Sequence, residues 1–241
     1  MCPRRIQIAV PEVDEPLEDS IRLFIGGLRR PESDDSSPYV FLTFGRLREN
    51  LGLMVANFAD AYFSNELGPV ISLLTTQQSS DYSFVEDELI TLTQAAEKLH
   101  RSLSKNAGLI PQQEYKEMRK TIEKCIPSAI SEELRKRIQD GLSYANELTL
   151  RSRLAALFED CSLRARTLIL GELAPVEFAK RLGSTRNYLT HYSRKDEQVL
   201  SSIDEFVWYN ARLRTLLRYL LLKQIGTPED LAFEAINTNF G

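Results

Sequence analysis

Residues 199–225 constrain the fold more than any other part of the chain, because their spacing predicts one long and strongly apolar helix. Such a helix has to be buried on more than one side, so several neighbouring elements must pack around it. Gly226 and Pro228 follow it and predict its end. The apolar positions are Ile203, Phe206, Val207, Leu213, Leu216, Leu217, Leu220 and Leu221.

Helical spacing of apolar residues recurs along the chain from residue 39 onward, and it predicts an all-α bundle of five or more main helices. A loop is expected at residues 75–83, with Ser83 as the N-cap of the helix after it. The predicted helices lie at residues 44–62, 70–74, 89–103, 112–124, 131–146, 147–161, 175–182 and 199–225, with a further helix from Arg186 and a last short one from Pro228.

Residues 1–37 differ from the rest, since two short β-favouring runs at 6–10 and 21–25 flank a proline-rich and acidic stretch. They predict a β-hairpin in an N-terminal extension, with the helical domain covering residues 38–241. A lone hairpin is marginal in water, so this extension is expected to dock on the rest of the chain, to pair with another chain or to be partly disordered.

The composition excludes several classes of function. Three widely separated cysteines and two histidines fit neither a disulfide framework nor a zinc site, so we expect no metal and no cofactor. A net charge of −4 argues against nonspecific coating of nucleic acid. No apolar run is long enough to cross a bilayer and no secretory signal is evident, which predicts a cytoplasmic protein.

The candidate site is the hexapeptide from Arg186 to His191, which contains a permanent cation, an amide at Asn187 and a titratable imidazole. A guanidinium binds phosphate oxygens in a forked geometry, and an imidazole can accept and donate a proton near neutral pH. With Ser184 or Thr185 as N-cap, the motif would open a helix, whose unpaired N–H groups favour an anion. Arg186 and His191 would then point about 140° apart, whereas Asn187 shares the face of His191.

Residues around the motif predict further contacts with RNA. From Lys180 to Lys223 there are nine basic residues against four acidic ones, an excess of five positive charges. The tentative RNA-binding residues are Tyr188, Tyr192, Arg194 and Lys195. The two tyrosines form an i, i+4 pair that more often packs than stacks on bases.

A functional role has to be considered for three other basic residues. His100 lies near the C-terminal end of its predicted helix with no arginine shortly before it, so it is interpreted as structural. Arg151 and Arg153 are interpreted as solvated or salt-bridged helix arginines in preference to RNA contacts.

The motif Arg-Asn-x-x-x-His at 186–191 resembles the signature of HEPN domains, and its flanks are similar to those of the ApeA-type antiphage HEPN proteins. The segments 95–101 and 145–154 are also similar to earlier helices of that subgroup in order and spacing. The resemblance covers about residues 40–238.

The resemblance implies a metal-independent endoribonuclease, usually a homodimer in which two motifs meet in a shared cleft. Arg186 and His191 would be active-site residues, and Asn187 would support them. In ApeA-type proteins a separate N-terminal domain precedes the HEPN part. Residues 1–37 are too few for that domain, so we expect either a fragment or a chain without the sensing part, served by an upstream sensor or a regulatory partner.

The chemistry of RNA cleavage supports the same interpretation independently. Attack of a 2′-OH on the adjacent phosphorus needs a base, an acid for the leaving oxygen and positive charge at the phosphorane. One histidine does not easily fill both proton roles, whereas a two-fold dimer supplies two.

Three hypotheses follow from the sequence. The first is an RNA-cleaving HEPN domain in antiphage defence or toxin-like growth arrest. The second is a noncatalytic HEPN module that binds RNA or nucleotide or serves as a dimerising scaffold. The third is a helical interaction protein in which the motif is coincidental.

Overall fold

The computed structural model describes residues 44–63, 67–79, 84–105, 107–191 and 197–237. Within them the chain is all-α and contains no strand, as predicted; one isolated β-bridge joins Gly108 and Glu147. None of these helices is long and apolar enough to span a membrane. The predicted hairpin and the N-cap residue Ser83 lie outside the described residues. In chain order the helices are α1 Phe44–Leu47, α2 Leu51–Phe63, α3 Gly68–Ser79, α4 Val85–Leu103, α5 Gln112–Lys124, α6 Glu132–Tyr144, α7 Leu150–Ala156, α8 Leu163–Leu170, α9 Pro175–His191, α10 Ile203–Gln224 and α11 Glu229–Asn237.

Helix α10 is the central element, as its apolar sequence predicted. It packs against α4, α8 and α11, and α4 in turn packs against α3, α7 and α9. Its side chains Leu213, Leu216 and Leu217 have no exposed surface. Burying each leucine side chain contributes roughly 2 kcal/mol, so these contacts hold the bundle together.

The aromatic residues of α9 and α10 form one part of this core. Phe178 of α9 stacks on Tyr209 at 5.1 Å between ring centroids and meets Phe158 edge-on at 5.7 Å. Trp208 lies 4.8 Å from Tyr209, and the Arg212 guanidinium covers its ring at 3.5 Å. The tryptophan is therefore a packing residue, as its position in the apolar helix indicated.

The N-terminal helices differ from the single helix predicted at residues 44–62. A turn at 48–50 separates α1 from α2, and of the apolar residues of α2 only Met54 is buried. Helix α3 continues to Ser79, so the loop expected from residue 75 begins later. Thr75 lies inside the helix, and its hydroxyl is satisfied there by donating to the Ile71 carbonyl at 3.0 Å.

N-cap hydroxyl groups divide the middle of the chain into shorter helices than the spacing of its apolar residues predicted. Ser131, Thr149 and Ser162 accept backbone N–H groups at the starts of α6, α7 and α8. The continuous helix expected at 147–161 is therefore only the seven residues of α7, followed by turns. Gly171 ends α8 with a φ of 61°, a conformation that favours glycine.

Helix α9 is the main correction to the sequence-based prediction. We expected a helix to end near Leu182 and a new one to start after a cap at Ser184 or Thr185. Instead α9 runs unbroken to His191, and Gly183, Ser184 and Thr185 are buried within it. Their small side chains serve close packing, because α7 crosses α9 at this point.

Thr185 joins α9 to the segment before α10. Its hydroxyl donates to the Arg181 carbonyl at 2.8 Å and accepts the backbone N–H of Leu200 at 3.0 Å. Thr185 has no exposed surface, so its hydroxyl and the Leu200 N–H that it accepts are both removed from water. A buried N–H without an acceptor is costly, and this bond therefore fixes where α10 begins relative to α9.

A second link joins the same helices through Glu205. One carboxylate oxygen accepts the Ser201 backbone N–H at 2.7 Å, and the other accepts a bond from Arg181 at 2.7 Å. These hydrogen bonds, with the Ser201 N–H the strongest, lower the pKa of Glu205 from 4.5 to about 2.

We expect Thr185→Val to lower the free energy of unfolding by about 1–3 kcal/mol, because it leaves the buried Leu200 N–H without an acceptor. Thr215→Val is a matched control, since the buried Thr215 hydroxyl donates only to the Ala211 carbonyl of its own helix. Urea unfolding followed by circular dichroism measures both. Equal losses in the two variants would contradict the role given to Thr185.

We expect Glu205→Gln to lower the free energy of unfolding at pH 7 by about 1 kcal/mol after allowance for solvent screening. A carboxyl whose folded pKa is lowered stabilises above its unfolded pKa, and this stabilisation is lost as the pH falls from 4.5 to about 2. The difference between wild type and variant should therefore disappear near the lower value. Glu172→Gln, at an exposed position, is the control. If the difference in unfolding free energy between wild type and Glu205→Gln did not depend on pH, the low pKa would not belong to Glu205.

Candidate functional site

The Arg186–His191 motif occupies the last two turns of α9, not the first turns of a helix. The expectation that N-terminal backbone N–H groups hold a phosphate here is therefore wrong. The negative end of the helix dipole lies at this terminus and disfavours an anion. Phosphate binding at the motif has to come from positively charged side chains.

Exposure differs among the three predicted catalytic residues. Asn187 and His191 are exposed, and Arg186 is half-buried. The Thr190 hydroxyl donates to the Arg186 carbonyl at 2.9 Å, which keeps this helix terminus regular. The imidazole and the amide are thus accessible to a large substrate at the surface.

Asn187 connects the arginine to the face of the histidine. The Arg186 guanidinium donates from Nη1 to Asn187 Oδ1 at 3.3 Å. Asn187 lies four residues before His191 and shares its face, while Arg186 lies on the other side of Asn187 around the helix. The structure therefore brings Arg186 and Asn187 into contact. Around the helix, Asn187 lies between the guanidinium of Arg186 and the imidazole of His191.

The four tentative RNA-binding residues are only partly described. Tyr188 is half-buried, whereas Tyr192, Arg194 and Lys195 lie outside the described residues. Tyr188 lies three residues before His191 and is therefore its neighbour on the helix surface, about 60° from it around the axis. Its exposed part is available to a ligand, but its packing against the domain matches the structural alternative.

The residues before the motif form a contact that the sequence did not predict. The Arg151 side chain of α7 lies directly against Gly183, where an added Cβ would come within 2.6 Å of Arg151 Cγ. Arg151 Nη2 also donates to the Ser184 hydroxyl at 2.8 Å. The sequence signal for this contact is the Gly-Ser pair itself, although its residue types predict a helix break.

The second histidine of the chain has a different environment. His100 is 4% exposed and its Nδ1 lies 3.4 Å from Arg153 Nη1. Burial, followed by the nearby Arg153 charge, lowers the pKa of His100. The imidazole is thus held neutral as an acceptor inside the protein, which matches its interpretation as structural.

Arg153 is buried and salt-bridged, which is the second of the two alternatives that the sequence left open. It donates to the Leu148 carbonyl at 3.0 Å and approaches Glu147 at 3.5 Å, and Glu147 also binds Arg101 at 2.7 Å. Burial lowers the pKa of Arg153. Its charge is compensated inside the domain, so it is not a free cation for RNA.

A polar cavity of about 280 Å³ lies beside this ion-pair network, between the end of α4, the following loop, α5 and α7. Asn146 closes one wall by accepting the Ile110 N–H and donating to the Ile110 carbonyl, both at 3.0 Å. The cavity lies on the α4 side of α7, where Arg153 points, whereas Arg151 points to α9. It is therefore separate from the motif, and its polar groups are largely bonded to one another.

Neither the motif nor the cavity contains a cluster that would hold a metal ion. Within the described part of the chain, no three side chains of histidine, cysteine, aspartate or glutamate come together in this way. Cys161 is buried, and burial raises the pKa of its thiol to about 12, so it is not a reactive thiolate.

Comparison with known proteins relates this site to one family. No curated protein and no solved structure matches the chain. The family model described as Apea-like HEPN matches residues 90–231, which include most of α4, the whole of α5 to α10, and the motif. This match covers more than half of the sequence, and it leaves out the N-terminal helices, the first residues of α4 and the end of α11. The chain therefore belongs to the Apea-like HEPN family.

Proposed function

We propose that the protein is a metal-independent endoribonuclease that acts as a homodimer. The observation that carries the proposal is the arrangement at the end of α9, where Arg186 contacts Asn187 and Asn187 shares the exposed face of His191. A guanidinium, an amide and an imidazole suit phosphodiester cleavage, because they supply charge stabilisation, positioning and proton transfer. Membership of an HEPN family supports a role connected with RNA.

In the proposed reaction the 2′-OH of one nucleotide attacks the adjacent phosphorus while the bond to the 5′-oxygen of the next nucleotide breaks. One His191 accepts the proton of the attacking hydroxyl, and a second His191 donates a proton to the leaving oxygen. The products carry a 2′,3′-cyclic phosphate and a 5′-hydroxyl. Arg186 stabilises the negative charge of the phosphorane, and Asn187 orients Arg186.

The need for two imidazoles is the reason to propose a dimer. One chain offers a single exposed histidine in its described part, because His100 is buried against Arg153. A two-fold axis beside α9 would place two copies of the motif in one cleft, each supplying the same three side chains. Arg186 of each copy would attract the phosphate groups of RNA to that cleft.

Such an activity would suit antiphage defence or toxin-like growth arrest. A noncatalytic module that binds RNA or nucleotide, or that serves as a dimerising scaffold, is the second candidate, since family membership by itself does not distinguish it from a nuclease. Catalysis is favoured because Arg186, Asn187 and His191 are all present in the last two turns of α9, where Asn187 and His191 are exposed.

We expect the wild-type protein to cleave RNA in the presence of EDTA and His191→Ala to be slower by a factor of about 100 or more. Arg186→Gln should lose activity to a similar extent, because a phosphorane without its cation is costly. Denaturing gels and mapping of the product ends measure cleavage. Arg137→Gln is the control, since Arg137 is highly exposed on α6 and pairs only with Glu133 of its own helix among the described residues.

Binding of RNA without cleavage by the wild type would favour the noncatalytic module instead. A loss of helical circular dichroism in His191→Ala would show that His191 is a structural residue. Cleavage that persists in His191→Ala at the wild-type rate would contradict the proposed site.

Subunit mixing tests whether the site is composite. If two His191 side chains are needed, an equal mixture of wild type and His191→Ala after subunit exchange should retain about one quarter of the wild-type activity, because only the wild-type homodimers are active. A self-sufficient subunit would retain about half. The mass in solution should be twice that of the monomer, and a monomer at working concentration would rule out the shared cleft.

A further inference from the structure

Arg151 is held in a fixed position on the surface of α9. Its aliphatic chain lies in the space left by Gly183, where a Cβ would be 2.6 Å from Cγ and 3.2 Å from Nε. Its guanidinium donates to the Ser184 hydroxyl at 2.8 Å, and Ser184 is only 5% exposed. A long side chain that would otherwise sample many rotamers is therefore ordered before any ligand binds.

The guanidinium nevertheless remains accessible and uncompensated. Arg151 is exposed, and among the described residues no carboxylate forms an ion pair with it. This differs from Arg153 on the same helix and from Arg181 on α9, which both pair with glutamates. An arginine has five N–H donors, and the bond to Ser184 occupies only one of them.

Arg151 lies on the face of α9 that also carries Asn187 and His191. Gly183 is four residues before Asn187, and Ser184 is seven residues, or two turns, before His191, so all four lie on one face of α9. The Arg151 guanidinium therefore lies over the face that carries Asn187 and His191, about 10 Å before His191 along the helix axis. That distance is too long for contact with a phosphorus at the imidazole, but it suits another phosphate on the same strand.

We propose that Arg151 binds a backbone phosphate of the RNA strand that flanks the cleaved phosphate. It is a substrate-positioning residue contributed by a second helix, and its role rests on the proposed function. The planar guanidinium binds two phosphate oxygens at once, which a point charge does not do. Because this terminus of α9 has the unfavourable end of the helix dipole, a positioned side chain supplies the charge that the backbone does not.

The test is binding of a short, labelled, single-stranded 2′-O-methyl oligonucleotide, which has no hydroxyl for the attack and therefore stays intact. Fluorescence anisotropy at several salt concentrations gives both the affinity and its salt dependence. Arg151→Gln should raise Kd about tenfold and reduce the slope of log K against log salt by about 0.7, the value for one phosphate contact on a single strand. Arg137→Gln removes an exposed arginine from α6 and should change neither quantity.

Two further variants separate phosphate binding from a structural role. Arg151→Lys keeps a charge and should recover part of the affinity and most of the salt slope. Ser184→Ala keeps the arginine but removes its anchor, so it should weaken binding less than Arg151→Gln and leave the slope unchanged. Thermal unfolding of each variant checks that the fold is retained.

The outcomes distinguish this inference from the proposed function. If wild type binds the oligonucleotide and cuts RNA while Arg151→Gln matches Arg137→Gln, Arg151 is only a packing residue and the nuclease proposal stands. If a folded Arg151→Lys protein has the slope and affinity of Arg151→Gln, charge is not what matters and the inference fails. If wild type neither binds the oligonucleotide nor cuts RNA, both proposals fail together.

Discussion

The close contact of α7 with α9 at Gly183 is the constraint on which the motif depends. A side chain at this position would collide with the Arg151 stem, so only glycine permits this approach. The contact keeps α9 continuous through Gly183, Ser184 and Thr185, three residues that would favour a helix boundary in isolation. Since α9 is continuous, the motif lies at its C-terminal end and its side chains reach the surface.

The position of the motif changes the electrostatics that any substrate meets. At a helix N-terminus, backbone N–H groups would stabilise a phosphate, but at a C-terminus the exposed carbonyl groups oppose it. Under the proposed function, the cations of Arg186 and Arg151 would provide this attraction, and each is positioned by a neutral partner, Asn187 and Ser184 respectively. A neutral partner orders a guanidinium without cancelling its charge, whereas a glutamate would cancel it.

The two histidines illustrate how tertiary structure assigns different roles to the same residue type. His100 is enclosed between α4 and α7, next to an arginine that disfavours its protonated form. The ion pairs of Arg101 and Arg153 with Glu147 then connect α4 to α7 beside the polar cavity. His191 is exposed at the end of α9. One imidazole is therefore enclosed in the domain, and the other is exposed to solvent.

The sequence by itself determined the all-α class, the central role of α10 and the boundaries of helices with clear signals, such as Gln112–Lys124 after Pro111. It also identified Arg186, Asn187 and His191 as candidates, because residue chemistry and helical spacing are local properties. Local patterns predicted a break at residues 183–185 and a long helix at 147–161. Both were wrong, because each depended on what packs against the segment. The sequence left open whether Arg153 is solvated or salt-bridged.

Only the tertiary structure decided these points, and the physical reason is the same in each case. Gly183 and Ser184 lie inside α9, where Arg151 packs in the space beside Gly183 and bonds the Ser184 hydroxyl, and Thr185 is helical while its hydroxyl accepts the distant Leu200 N–H. Arg153 is buried because Glu147 and the Leu148 carbonyl compensate its charge. Small polar residues and arginines can adopt several backbone and side-chain conformations of similar free energy. A contact with a residue of another helix then favours one of these conformations.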